Sequence, residues 1–90
     1  MDIEFDPDKA AENLRKHGVS FAHAEQALRD SDALTVEDPD AEGESRFVTL
    51  GMDSLGRILV VVFTPRRQRT RIISARKASK VEALAYAKGI

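Results

Sequence analysis

Ninety residues without a cysteine make one small domain, residues 1–90, and exclude a disulfide framework and thiolate chemistry. Hydrophobic residues at 42% and charged residues at 32% fit a soluble globular chain rather than a disordered one. The net charge of −1 conceals a division: residues 1–53 carry five basic and fourteen acidic side chains, residues 54–90 nine basic and one acidic.

Ile3 to Phe5 reads as a short first strand. Asp6 then offers an N-cap, Pro7 the first helical position, and Asp8 a charge favourable to the helix dipole. The helix runs to about His17 and is expected to bury Ala10, Ala11 and Leu14. Gly18 ends it in a left-handed conformation, and Val19 folds back on the last turn. Ser20 caps a second helix whose apolar face is Phe21, Ala24, Ala27 and Leu28, giving a helical hairpin.

From Ala33 the period becomes strand-like, with a short strand to Glu37 and a loop over Asp38-Pro39-Asp40-Ala41-Glu42-Gly43. Arg46 to Met52 alternates, and Asp53-Ser54-Leu55-Gly56 reverses the chain. Arg57 to Thr64 is apolar on both faces, which suits a central strand covered above and below. Pro65-Arg66-Arg67-Gln68 turns into a last strand, Thr70 to Arg76. Ser79 and Glu82 form a capping box that opens a final helix with Val81, Leu84 and Ala85 inward. The order predicts an α+β fold: a short N-terminal strand, a two-helix hairpin, an antiparallel three- to four-stranded sheet and a C-terminal helix. The apolar run Ile58 to Phe63 is too short to span a bilayer, and the acidic start does not read as a signal peptide, so a cytoplasmic protein is expected.

Between Ser54 and Val81 there is no acidic residue, but there are eight of the fourteen basic ones: Arg57, Arg66, Arg67, Arg69, Arg71, Arg76, Lys77 and Lys80. Such a surface suits a polyanion, and its blander reading is neutralisation by the acidic half across one fold. A plain single-strand RNA reader is disfavoured, because aromatic residues make up only 6% and do not interleave with the basic strand.

Three segments carry the most specific signal: Lys16-His17-Gly18-Val19-Ser20-Phe21, Arg46-Phe47 with Gly51, and Arg71-Ile72-Ile73-Ser74-Ala75-Arg76-Lys77-Ala78. In this order, with Phe5-Asp6, Asn13, Gly56-Arg57 and Tyr86, they resemble the BrnT family, toxins of bacterial type II toxin–antitoxin systems, over essentially the whole chain. The resemblance implies a RelE-like fold, a metal-independent ribonuclease without cofactors that inhibits translation, and RNA as substrate. It also implies a cognate antitoxin with a ribbon-helix-helix domain, through which alone the complex touches operator DNA and represses its operon. A homodimer within that complex would match paired antitoxins on a palindromic site. The chain departs from relatives at Ala27-Leu28, where smaller residues would loosen the second helix, and at Val81, where a basic residue is common.

Metal-free RNA cleavage needs a base near the 2′-hydroxyl, cationic donors on the phosphate and an acid for the leaving 5′-oxygen. Arg57 and Arg76 begin and end neighbouring strands and could reach the same edge of the sheet; whether Arg46 shares their face depends on bulges. His17 supplies an imidazole, the side chain suited to acid–base work near neutral pH, within a recognisable motif, although a cation in the last helical turn also stabilises helix carbonyls. Lys16 either donates to phosphate or is solvated. The catalytic candidates are therefore His17, Lys16, Arg57 and Arg76. Arg46, Arg66, Arg67, Arg69, Arg71 and Lys77 are candidates for RNA binding, with a solvated hairpin tip as the rival reading for Arg66, Arg67 and Arg69. Glu82 is assigned to the capping box, Tyr86 to packing, and Glu44 and His23 to the surface. The rival function is a toxin-like subunit without nuclease activity that acts only in antitoxin binding and operon regulation.

Overall fold

A computed structural model describes residues 1–89. The elements run β1 (Ile3–Glu4), α1 (Pro7–His17), α2 (Phe21–Leu28), β2 (Leu34–Glu37), β3 (Phe47–Met52), β4 (Ile58–Arg66), β5 (Arg69–Lys77) and α3 (Lys80–Lys88). The strands form one five-stranded mixed sheet, ordered β1-β5-β4-β3-β2. The sheet is thus larger than the three to four antiparallel strands expected, because β1 joins it in parallel alongside Thr70 and Arg71 of β5. The other pairings are antiparallel.

Caps fall where the residue types require them. The Asp6 and Ser20 side chains accept from backbone N–H groups of α1 and α2, and Gly18 closes α1 at φ 69°. Ser79 and Glu82 make both halves of the capping box. The β4–β5 turn is tighter than expected, since Pro65 lies within β4 and only Arg67 and Gln68 separate the strands. Pro65 is tolerated there because β4 has already outrun β3, whose pairing stops at Phe47↔Phe63.

The α1–α2 hairpin covers one face of the sheet. Leu59 and Val61 of β4, Ile72 and Ala75 of β5, and Val19, Phe21, Ala24 and Ala27 of the hairpin form the core. Gly51 permits this packing: a Cβ on it would sit 2.1 Å from the Ala27 carbonyl oxygen. The small residues at Ala27 and Gly51 therefore bring α2 directly onto β3, which is the reverse of the loosening expected from Ala27-Leu28.

Two helix faces differ from expectation. In α1 the residue turned to the sheet is Asn13, 6% exposed, while Leu14 is 52% exposed and Ala11 is exposed. Strand β1 ends after Glu4, so the next outward groups of β5 would lack partners. Asn13 supplies them, donating to the Ala75 carbonyl at 2.8 Å and accepting from the Ala75 N–H at 3.1 Å. Its amide also donates to the Val19 carbonyl. Satisfying buried backbone groups outranks burying a leucine there. In α3, Val81 and Leu84 are 76% and 58% exposed instead of inward. The helix is held by polar contacts: the Tyr86 hydroxyl donates to Asp30, which also accepts from the Met52 N–H.

Candidate active site

Cross-strand pairs point to the same side of a sheet, so register assigns each basic residue to a face. The pairs Gly51–Leu59 and Val61–Ala75 face the helical hairpin. The pairs Val48–Val62, Leu50–Val60 and Val60–Arg76 face the other way. The β4–β5 register shifts after Val62: Ser74 pairs with Val62 and Ile72 with Phe63, which leaves Ile73 as an inserted residue. Beyond this bulge Arg71 pairs with Thr64 and Arg69 with Arg66, on the face that carries Arg76.

Arg57, just before β4, turns to the hairpin side. Its Nε donates to Asp53 Oδ2 at 2.8 Å, and its Nη1 donates to the Gly18 carbonyl at 3.2 Å. The other Asp53 oxygen accepts the N–H groups of Leu55 and Arg57. Burial pushes the Asp53 carboxyl up, but the Arg57 backbone and guanidinium donors outweigh it and hold the carboxyl below its ordinary value. Arg57 therefore braces the β3–β4 turn against the end of α1, next to His17.

Arg76 stands on the opposite face, and its partner is Glu82. Nη1 and Nη2 donate to the two Glu82 oxygens, each at 2.8 Å, and Nη1 also donates to the Lys77 carbonyl. The Arg76 guanidinium, helped by Ser79, takes the Glu82 carboxyl down to about 2 against burial, and the same hydrogen bonds raise the Arg76 pKa. Both Nη1 protons and one Nη2 proton are engaged, so Nε and the second Nη2 proton remain as a parallel donor pair. That pair has the geometry that grips two phosphate oxygens, and the side chain is 47% exposed.

Lys16 and His17 are exposed at the end of α1. With Lys9, Glu12, Asn13, Ile73 and Ser74 they line a shallow cleft between α1 and β5. This is the free edge of β5, beyond the end of β1. Lys16, His17 and Arg57 thus come together on the hairpin side, and Arg76 does not join them: Arg57 and Arg76 share an end of the sheet but not a face. Lys77 pairs with Leu59 and belongs to the hairpin side.

The remaining candidates lie elsewhere. Arg66, Arg67 and Arg69 form the β4–β5 tip at the far end of the sheet, with Arg67 at φ 59°, and line an open cleft with Asp2 and Glu4. Arg71 donates to Glu4 at 2.8 Å. Arg46, just before β3, has a buried Nε with no hydrogen-bond partner. Among the described residues, no three His, Asp or Glu side chains are placed to share a metal ion.

Sequence reasoning missed the bracing roles of Asn13, Asp53 and Asp30. Asn13 carried one signal, a polar residue beside the apolar positions of α1; the Asp30–Tyr86 contact, 56 residues apart, carried none.

The family model for BrnT, the ribonuclease toxin of a type II toxin–antitoxin system, matches residues 5–82. The chain belongs to the BrnT family. It is also similar to the 1.1 Å crystal structure of the Brucella abortus ribonuclease toxin BrnT, at 30% identity and a TM-score of 0.65, over 89% of this chain and 99% of that one. No curated protein matches the sequence. Membership in this BrnT family of ribonuclease toxins implies RNA as substrate and an antitoxin as partner. Among the described residues, no helix is long and apolar enough to cross a membrane.

Proposed function

We propose that this chain is a metal-independent endoribonuclease that arrests translation by cutting RNA in the cytoplasm. The observation that carries the reading is Arg76: a guanidinium fixed by Glu82 with a phosphate-gripping pair left free, in a chain of the BrnT family. The scissile phosphate lies over the free edge of β5, with the Arg76 donors on one side and Lys16 and His17 on the other. Cleavage proceeds by attack of the 2′-oxygen on phosphorus. The bond to the 5′-oxygen breaks, leaving a 2′,3′-cyclic phosphate and a 5′-hydroxyl. His17 takes the proton from the attacking 2′-hydroxyl and gives it to the departing 5′-oxygen, and Arg76 and Lys16 stabilise the charge that builds on the phosphate. Arg57 holds the Gly18 carbonyl and so fixes the turn beside His17. Arg46, Arg66, Arg67, Arg69, Arg71 and Lys77 add electrostatic affinity for RNA.

In this reading the fold is RelE-like, and the antitoxin is a ribbon-helix-helix protein that covers the basic surface. The complex, with the toxin as a homodimer, reaches operator DNA through the antitoxin. The test is incubation of labelled RNA with purified chain in EDTA. Cleavage with cyclic-phosphate ends is expected. Intact RNA, with and without ribosomes, would leave the subunit that acts only in operon regulation.

A further inference from the structure

The register gives the sheet face away from the hairpin a row of cations that the sequence alone conceals. Arg71 and Arg76 are five positions apart, so in a regular strand they would point to opposite faces. The inserted Ile73 removes that offset and places Arg69, Arg71, Ser74 and Arg76 on one face of β5. Arg66 joins them from β4 through its pair with Arg69. Arg46 extends the same face of β3, one step beyond Phe47 and thus on the side of Val48. Its Nε is buried and has no hydrogen-bond partner, so no protein acceptor holds it. Two carboxylates already compete there, since Glu4 accepts from Arg71 and Glu82 from Arg76.

We propose that this face is a track for an extended single strand of RNA, in which the Ile73 bulge aligns Arg69, Arg71 and Arg46 with Arg76. The inference rests on the ribonuclease reading and adds the route the substrate takes. From Arg76 to Arg69 the row covers roughly 20 Å of strand, which sets a footprint of about four nucleotides, the lower end for a single-strand groove. The apolar strip of Val48, Leu50 and Val62 beside it has no ring to stack a base, so contact is to the backbone and tolerant of sequence.

The experiment measures binding of 2′-O-methyl oligonucleotides of two to eight residues to the full chain, as a function of salt. Affinity should rise with length and level off near four nucleotides. Arg71→Gln and Arg46→Gln should each lower affinity several-fold for the longer oligonucleotides alone. Each should also reduce the slope of log K against log salt by about 0.7. Glu4→Gln should do the opposite and tighten binding, which keeps the test informative if Arg71→Gln folds poorly. Arg15→Gln, an equal loss of charge on the exposed side of α1, should leave the length dependence unchanged. If the wild type binds and cuts RNA but Arg46, Arg71 and Glu4 variants match Arg15→Gln, the track is wrong and the ribonuclease reading survives. If those variants lose only the affinity for an acidic antitoxin segment, the face belongs to the protein partner and the track is again overturned. A wild type that neither binds nor cuts RNA removes the underlying reading itself.

Discussion

On one face of the sheet, Gly51, Leu59, Val61, Ile72 and Ala75 are small or apolar, and α1 and α2 lie directly against them. On the other, Arg46, Arg66, Arg69, Arg71 and Arg76 share the surface with half-buried Val48, Leu50 and Val62. Both faces belong to the same strands, and yet their tolerance for change should differ. The first holds a small domain together through close backbone approach and one buried amide. The second spends its positions on charge, which adds little to stability in solvent. Stability and the proposed activity should therefore be damaged separately, by choosing which side of a strand is changed.

The most damaging change on the packed side should be Gly51→Val. A side chain there meets the Ala27 carbonyl, which belongs to backbone and cannot rotate away. The loss should be on the order of 3 kcal/mol or more, enough to unfold much of the population in a urea titration. A midpoint close to wild type would break the claim that α2 sits on β3. Asn13→Ala should come next, since it leaves both outward groups of Ala75 unpaired in the interior. A cost of about 2–3 kcal/mol is expected, and with it faster amide exchange at Ala75, measured by NMR.

Gly18→Ala sharpens the contrast by separating backbone strain from packing. Nothing lies within 4 Å of a Cβ there, so the penalty is the left-handed conformation alone. It should cost about 1–2 kcal/mol, or roughly 4–8 °C per kcal/mol in a domain of this size. A valine at Gly18 would add the stiffness of a β-branched residue to that penalty. A drop as large as that of Gly51→Val would show that the C-cap carries packing the geometry does not reveal.

The smallest effect belongs to the charged face. Glu82 has its carboxyl lowered from 4.5 to about 2, chiefly by Arg76, so its folded form binds a proton less readily than its unfolded one. The stabilisation is therefore present above about pH 4.5 and fades as the pH falls toward 2. Glu82→Gln keeps an acceptor for the Ser79 N–H and should flatten this part of the melting-temperature profile. An equal acid slope in both proteins would remove the ion pair from the account.

Much of the fold was legible because it is written locally. The Asp6, Ser20 and Ser79 caps, the Gly18 terminus and the alternation of β3 each depend on neighbours in sequence. What failed depends on distant partners. Asn13 displaced Leu14 from the sheet because β1 is too short to cover Ala75, 62 residues away. Val81 and Leu84 are exposed because α3 is fastened by Tyr86 and Glu82, polar groups whose partners the helical period does not disclose. The basic residues themselves were visible in the sequence, but their division between two faces was not. One inserted residue, Ile73, decides which side Arg71 and Arg69 take, and no local pattern marks it.

The most direct test compares Arg76→Gln with wild type in two readings on the same samples: cleavage of labelled RNA in EDTA, and the melting temperature. Cleavage should fall about 10²-fold or more, the scale of removing one well-placed donor from a developing oxyanion, with a melting temperature within a few degrees of wild type. Cleavage undiminished in a folded variant would contradict the role given to Arg76, and so would a loss of activity that merely follows a loss of fold.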